Sequence, residues 1–302
     1  MSVALPVTQP DSPQTVRAAL EQAAMRLPGE SPRLDAELLL AEVLGRSRAW
    51  LLAHAADPLP APALNAYAAL LGRRAAGEPV AYILGRAAFW SLELEVSTAT
   101  LVPRPDTEAL VEQVLAHAPQ TTASVLDLGT GSGAIALALA RERPHWSVLG
   151  VDIDPAAVAV AARNAERNTI TNARFMAGDW YAPLGDMRFG IVVSNPPYIR
   201  ADDPCLQGPG LSHEPLGALA SGADGLDALR AVVAGAPAHL LPGGLLACEH
   251  GAAQGAEVRA LFLHAGFSEV CTWRDLSGHE RVTAGWLPSE YGEPAGGGLR
   301  DG

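Results

Sequence analysis

The chain has 302 residues, of which 49% are hydrophobic and 18% charged; this is enough for about two packed domains and excludes a disordered polymer. A net charge of −12 repels phosphate, which makes duplex nucleic acid a poor partner, and no apolar run reaches the ~18 residues that suggest a membrane span. All 21 basic residues are arginine, so chemistry built on a Walker-A lysine, a Schiff base or a lysine general base is excluded, and with it pyridoxal enzymes, kinases and ordinary P-loop ATPases.

Residues 1–12 read as a frayed tail without the basic and apolar regions of a secretory signal. Cys205, Cys248 and Cys271 are scattered, which fits reduced thiols and a cytoplasmic location. Residues 13–85 read as helical. Ser12-Pro13 and Ser31-Pro32 look like N-caps followed by proline at the first helical position. Leu34, Leu38 and Ala41 then define one apolar face, widened by Leu39 and Val43, and Gly45 sits where a C-cap glycine belongs. A third helix is expected near Leu64, Tyr67, Leu70 and Leu71. Residues 86–104 read as a hairpin linker, with Phe89–Val96 alternating as a half-buried strand and Leu101-Val102 as its partner. A helix is expected from Asp106 through Leu110, Val111 and Val114.

Residues 105–287 then alternate between strands and helices, the pattern of a parallel sheet covered on both faces. Strands are expected at 125–128, 147–152, 173–177, 189–194, 244–249, 268–273 and 281–286. Helices are expected at 133–142, 155–167, around Leu226–Leu240, and at 254–265. The last two strands have no helix between them and should pair antiparallel. Residues 288–302 read as a second tail.

Asp127-Leu-Gly129-Thr130-Gly131-Ser132-Gly133 ends the first of these strands and opens a helix. Its glycines permit a sharp turn and a close ligand approach, and the helix start adds a positive field. Asp152 ends the next strand, where a carboxylate can take both hydroxyls of a ribose. The loop also satisfies a loose dinucleotide fingerprint, so both NAD(P) and S-adenosylmethionine fit. Asp127 tilts toward the latter, because an acid there repels a pyrophosphate but suits an ammonium group. Gly178-Asp179-Trp180 follows the third strand. Asp179 can accept from an exocyclic adenine amine and Trp180 can cover the ring.

Ser194-Asn195-Pro196-Pro197-Tyr198 follows the fourth strand. Two prolines make the segment rigid and leave its carbonyls without local donors. The Asn195 side-chain oxygen and the Pro196 carbonyl can converge on a planar –NH2 group, with Tyr198 as a flat surface beneath it. Such a nitrogen is a poor nucleophile. Two acceptors on its N–H bonds favour pyramidalisation, aim its lone pair and stabilise the positive charge that develops.

With these motifs in hand, the chain resembles the PrmC/HemK family of protein-glutamine N5-methyltransferases, which act on peptide-chain release factors. The resemblance extends over 13–286. It includes Gly77-Glu-Pro-Val-Ala-Tyr-Ile-Leu-Gly85, Leu101-Val-Pro-Arg-Pro-Asp-Thr-Glu108, His213-Glu-Pro215 and Glu280-Arg-Val282. It implies an α/β fold: a Rossmann-like, seven-stranded class I methyltransferase domain joined through a β-hairpin to a small all-helical domain, and residues 13–85 are expected to recognise the substrate because a Gly-Gly-Gln loop alone offers too little surface to be told apart. It implies S-adenosylmethionine as cofactor, with S-adenosylhomocysteine as product and no metal. The implied cofactor contacts are residues 129–133, Asp152, Trp180 and Asn195, and the implied substrate is a glutamine in a Gly-Gly-Gln loop held by Asn195, Pro196, Pro197 and Tyr198. Asn195, Pro196 and Tyr198 would carry catalysis. A monomer without stable nucleic-acid or membrane binding is expected. Trp90, where a small residue is expected, and His250, where an aliphatic one is common, depart from the pattern.

Arg104 either approaches the site or pairs with Asp106 or Glu108, and Glu214 either orders the loop after Tyr198 or is an exposed turn acid. The eight histidines show no pairing. Three other readings compete. An adenine-N6 nucleic-acid methyltransferase shares the –NH2 logic but wants a basic cleft and a target-recognition domain. An NAD-dependent oxidoreductase leaves Asn195–Tyr198 without a task. A non-catalytic binding module does not need an intact acceptor pair.

Overall fold

The computed structural model describes residues 14–118 and 121–289; both predicted tails fall largely outside them. The chain divides into two compact units, Met1–Gly85 and Arg86–Gly302. No described helix is long and apolar enough to cross a membrane.

The first unit holds five helices: α1 (Val16–Ala24), α2 (Pro32–Leu44), α3 (Arg48–Ala53), α4 (Ala61–Ala75) and α5 (Val80–Leu84). Leu20, Leu39, Leu40, Leu51 and Tyr67 fill its core, where the Tyr67 hydroxyl donates to the Ala36 carbonyl at 3.0 Å. Three details differ from the sequence reading. Helix α1 starts later than Ser12-Pro13 implies, because the Thr15 side chain caps it by accepting from the Ala18 N–H. Helix α2 does begin at Pro32 and end at a left-handed Gly45, but it buries Ala36, Glu37, Leu39 and Leu40, while Leu34 is exposed. Glu37 is tolerated on that face because Arg33 and Arg48 bind its carboxylate at 2.8 and 2.7 Å. Helices α3 and α5 span only six and five residues, too short to show a helical period.

The second unit opens with an antiparallel hairpin, β1 (Arg86–Phe89) and β2 (Leu92–Glu95), in which Phe89 pairs with Leu92. The expected strand Phe89–Val96 is therefore broken by a tight turn at Trp90-Ser91. Trp90 adopts φ 56°, held by its backbone N–H donating to Glu108 at 2.6 Å and its indole N–H donating to Glu142 at 2.7 Å. Leu101-Val102 is not a strand. Phe89, Leu92 and Leu94 pack into the core of this unit. A 3-10 turn at Pro105–Thr107 leads into α6 (Glu108–His117).

The series continues with β3 (Ser124–Leu128), α7 (Ala134–Glu142), β4 (Ser147–Asp152), α8 (Pro155–Arg167), β5 (Ala173–Ala177), β6 (Phe189–Ser194), α9 (Asp227–His239), β7 (Leu240–Glu249), α10 (Gly255–His264), β8 (Ser268–Arg274) and β9 (Glu280–Trp286). The seven-stranded sheet has the order β5-β4-β3-β6-β7-β9-β8. Strands β3 to β7 are mutually parallel, β9 runs antiparallel to β7, and β8 antiparallel to β9. Val125, Ile191 and Val193 face one apolar layer, and Leu126, Leu128 and Val192 the other, so the central strands are apolar on both sides. Strand β7 starts at Leu240, earlier than expected, with an irregularity in its pairing between Phe189 and Ile191.

Between β3 and β6 the chain order reverses direction across the sheet, and such switch points open a crevice at the carboxyl ends of the strands. Fully buried Asn164 on α8 braces that end. Its Nδ2 donates to the carbonyls of Glu95 and Ser132, both at 2.9 Å, and its Oδ1 accepts the Glu95 N–H at 2.6 Å. Replacing Asn164 by Leu strands these three backbone groups, at ~1–3 kcal/mol for each one left dry. The Asn164→Leu protein is expected to lose about 2–4 kcal/mol of stability, read from its urea midpoint. A loss under ~0.5 kcal/mol would show that water satisfies the freed groups.

Candidate active site

The loop after β3 is shaped by three left-handed glycines, Gly129 (φ 70°), Gly131 (φ 55°) and Gly133 (φ 83°). The N–H groups of Gly129 and Thr130 both donate to the Val151 carbonyl, at 2.9 and 3.0 Å, tying the loop to β4. The Gly131 N–H donates to Asp152 Oδ2 at 2.8 Å, and the Asp154 N–H to Oδ1 at 3.0 Å. Burial raises the Asp152 pKa against these hydrogen bonds. Asp127 lies fully buried beneath the loop. Its Oδ2 accepts from the Thr130 hydroxyl at 2.7 Å and the Ala136 N–H at 3.2 Å, while Oδ1 has no partner.

A cavity of about 430 Å³ opens at this edge of the sheet, lined among others by Gly129–Ser132, Asp152, Asp179, Trp180, Asn195 and Pro197. Trp180 takes φ 45° and lies against the glycine loop, so that a Cβ built on Gly129 would meet its ring at 3.7 Å. Asp179 is exposed. Asp127 and Gly133 shape the loop from below and are not part of the lining. Gly133 fills the first position before α7, where a Cβ would stand 3.1 Å from Ala161 and Leu137.

Pro196 and Tyr198 line a separate, smaller depression of about 90 Å³, which shares Leu101, Arg104, Asn195, Pro197 and Ala218 with the larger cavity. The Asn195 carboxamide donates from Nδ2 to Thr107 Oγ1 at 3.1 Å. The Tyr198 hydroxyl donates to Glu249 at 3.2 Å, and its carbonyl accepts from Gln254 at 3.1 Å. Burial and the adjacent Glu249 carboxylate raise the Tyr198 pKa, so the phenol stays protonated. Arg104 pairs with Glu214 and not with Asp106 or Glu108. Glu214 is buried and also accepts the Val102 N–H at 3.0 Å, so it secures the loop after Tyr198 to the segment before α6.

Two residues of this site escaped the sequence reading. Thr107 sits in the Pro-Arg-Pro-Asp-Thr-Glu run but carries no chemistry of its own. Glu249 ends β7 just as Asp127 and Asp152 lie at or near the ends of β3 and β4; an acid at the carboxyl end of a buried strand is the signal that could have found it. Burial pushes its pKa up to about 7. Among the described residues no group of three or more His, Cys, Asp or Glu is placed to hold a metal.

Two family models match the chain, the PrmC N-terminal domain over residues 17–85 and the methyltransferase small domain over residues 105–205. The release factor glutamine methyltransferase of Xylella fastidiosa (strain Temecula1) is 52% identical over 257 residues, 85% of this chain and 94% of that protein. The proteins of the same name from Salmonella typhimurium and Escherichia coli K12 are 50% and 47% identical, each over 85% of this chain and 92% of their own length. Among solved structures, a methyltransferase from Pyrococcus furiosus matches with a TM-score of 0.51 at 19% identity, covering 67% of this chain and 91% of its own. A T. thermophilus 16S rRNA methyltransferase, solved in complex with AdoMet and guanosine, matches with a TM-score of 0.50 at 25% identity over 67% of this chain and 49% of its own.

The buried Asp127 makes a pH prediction. Burial moves its pKa from the ordinary 3.8 up to about 7. Between those values the folded state holds a proton that the unfolded state has released, so stability falls as pH rises across this window. Asp127→Asn keeps an acceptor for Thr130 and Ala136 and removes the charge. Denaturation midpoints measured from pH 4 to pH 7 should therefore decline less steeply in the variant; an unchanged slope would mean that Asp127 is not desolvated.

Proposed function

Because the chain belongs to the release factor glutamine methyltransferase family, we propose that it transfers a methyl group from S-adenosylmethionine to the side-chain amide nitrogen, N5, of the glutamine in the Gly-Gly-Gln loop of peptide-chain release factors. The observation that carries this reading is that Asn195 lines both the larger cavity and the adjoining depression. One residue thus borders a chamber for the methyl donor and a pocket for the acceptor.

The larger cavity fits the cofactor. Its volume of about 430 Å³ lies within the ~300–1,000 Å³ usual for small-molecule sites. Asp152 has used one lone pair on each oxygen for backbone N–H groups, and an ionised carboxylate retains others for a ribose diol. Trp180 supplies a flat wall beside the glycine loop, and Asp179 an exposed carboxylate suited to an adenine amine. The unpartnered Oδ1 of Asp127 makes the loop's underside electronegative, which suits a cationic ligand and not a pyrophosphate. When bound, S-adenosylmethionine supplies a methyl group made electrophilic by its sulfonium.

The chain's own residues then do the rest. Asn195 Oδ1 and the Pro196 carbonyl accept the two N–H bonds of the substrate amide. Pro196 and Pro197 hold these acceptors in place, since their φ angles are locked. The Tyr198 ring packs under the amide plane. Together they aim the nitrogen lone pair and stabilise the positive charge that grows on it, with no strong base required before transfer.

The reading is tested by incubating the protein with labelled S-adenosylmethionine, an intact release factor and duplex DNA. Label is expected on the release factor alone; label on DNA would favour adenine-N6 methylation. Asn195→Ala should cut transfer by ~10²–10³ while keeping most of the cofactor affinity. A variant holding more than half of the normal turnover would remove Asn195 from the mechanism.

The helical unit is proposed to recognise the protein substrate. A Gly-Gly-Gln peptide buries far less than the ~1,200 Å² of a stable protein complex, so discrimination needs contacts elsewhere. The two units have separate apolar cores, and every residue lining the larger cavity belongs to the second. A chain of residues 86–302 is expected to bind the cofactor within a few-fold of full length. Its methylation of an intact release factor should fall by about 10², and of a free peptide much less. Equal losses on both substrates would make the helical unit a structural support only.

A further inference from the structure

Proline fixes φ at positions 196 and 197 but leaves Tyr198 free to turn. The orientation of Tyr198 is set from outside its own segment. Glu249 accepts its phenol hydroxyl at 3.2 Å. Its carbonyl accepts from Gln254 Nε2 at 3.1 Å, and the N–H of the same peptide group, that of Ile199, donates to the Leu219 carbonyl at 2.9 Å. A peptide group bound at both its N–H and its C=O cannot rotate without breaking both bonds.

Gln254 stands just before α10, yet its side chain does not cap that helix. It turns back instead. Its Oε1 accepts the Gly251 N–H at 2.9 Å, and its backbone N–H donates to the Gly251 carbonyl at 2.9 Å. Its Nε2 donates to the Tyr198 carbonyl and reaches the Gly225 carbonyl at 3.5 Å. A backbone N–H only donates and a carbonyl only accepts. Half a turn of the carboxamide would therefore set oxygen against carbonyls and NH2 against an N–H, so one orientation is held. The neighbouring glycines make room for this. Gly225 takes φ 79°, and a Cβ there would collide with the Tyr198 carbonyl oxygen and stand 2.9 Å from Gln254 Nε2. A Cβ on Gly251 would stand 3.0 Å from Gln254 Oε1 and 3.6 Å from Tyr198 Cδ2, so the Tyr198 ring passes close to the Gly251 backbone. Three segments, after β6, before α9 and after β7, thus converge on one side chain.

We propose that Gln254 is a positioning residue for methyl transfer, holding the Tyr198 carbonyl and through it the Tyr198 ring at the height that the substrate amide requires. The proposal rests on the reading of Tyr198 as the surface beneath that amide. Glu249 anchors the far end of the ring, so Tyr198 is gripped at both ends by the corner between β7 and α10. Gln254 lines neither the larger cavity nor the depression, and its effect reaches the substrate only through Tyr198. A small displacement of a group that orients the reacting atoms is costly, with ~1 Å worth up to about 10²-fold in rate.

The test uses the full chain with saturating S-adenosylmethionine and an intact release factor. Gln254→Glu keeps an acceptor for Gly251 and replaces the NH2 group by an oxygen that faces two carbonyls. It should lower kcat by ~10-fold, while KM and cofactor affinity stay within about threefold, a split that a loss of stability alone does not produce. Tyr198→Ala should itself lower kcat. In that background Gln254→Glu should cost less than about threefold more, because both substitutions act on one ring. Thermal melting confirms that each variant folds; if Gln254→Glu does not, Gln254→Met, of similar length and without either bond, takes its place. A loss of kcat under about threefold on replacing Gln254 would overturn the proposal, as would a loss of about threefold or more in the Tyr198→Ala background. If Tyr198→Ala is impaired while the Gln254 variant is normal, this inference alone fails; if Tyr198→Ala has a normal kcat, the reading of Tyr198 fails with it.

Discussion

Leu128 and Ser194 lie opposite each other at the carboxyl ends of two neighbouring parallel strands, and the Ser194 hydroxyl donates to the Leu128 carbonyl at 2.7 Å. One residue later on each strand the chain leaves the sheet, on one side as a left-handed glycine and on the other as Asn195. The glycine loop and the Asn-Pro-Pro-Tyr segment are thus side by side because β3 and β6 are adjacent, although they are far apart in sequence. Everything at the site hangs on that pairing. Strand β4 brings Asp152 to one flank, β7 brings Glu249 to the other, and the apolar residues of both faces hold the strands rigid. Proline supplies the second constraint, since a segment without free N–H groups cannot re-pair with the sheet edge and close the crevice.

Acids near the ends of three buried strands are costly. Asp127, Asp152 and Glu249 all carry raised pKa values because burial disfavours their charge. Asp152 is eased by two backbone N–H groups, and Asp127 by one hydroxyl and one N–H. Asp127 and Glu249 each retain a buried oxygen with no partner. A fold selected only for stability would place apolar residues there, so these acids depart from what packing alone favours.

Much of this was legible in the sequence because the strands of the second unit are short, apolar and punctuated by glycine or proline. Ser147–Asp152 and Phe189–Ser194 occupy the expected positions to the residue. What escaped was set by tertiary contact. The alternation of Phe89–Val96 concealed a turn, since the left-handed Trp90 is stabilised by Glu108 and Glu142 from distant helices. The buried face of α2 could not be read because Glu37 is neutralised by arginines on two different helices. Glu249 is an ordinary residue until the β6–β7 register brings it level with Asn195, and a one-dimensional pattern has no record of that register.

The bonds that tie the segment before α6 to the rest of its unit all point forward along the chain. Glu95 waits for Asn164, 69 residues later; Thr107 for Asn195, 88 residues later; and Val102 for Glu214, 112 residues later. A polypeptide emerging from the ribosome therefore exposes the hairpin and the turn well before their partners exist. Non-local contacts of this kind are reached late, after their loops have closed. The helical unit, whose core uses only residues up to Ile83, can be folded while the catalytic unit is still being made. The residues that line both cavities of the second unit run only to Leu219, but β6, which leads into Asn195, gains its second neighbour only when β7 has been synthesised, so a chain stalled before that point carries the lining without the sheet that places it.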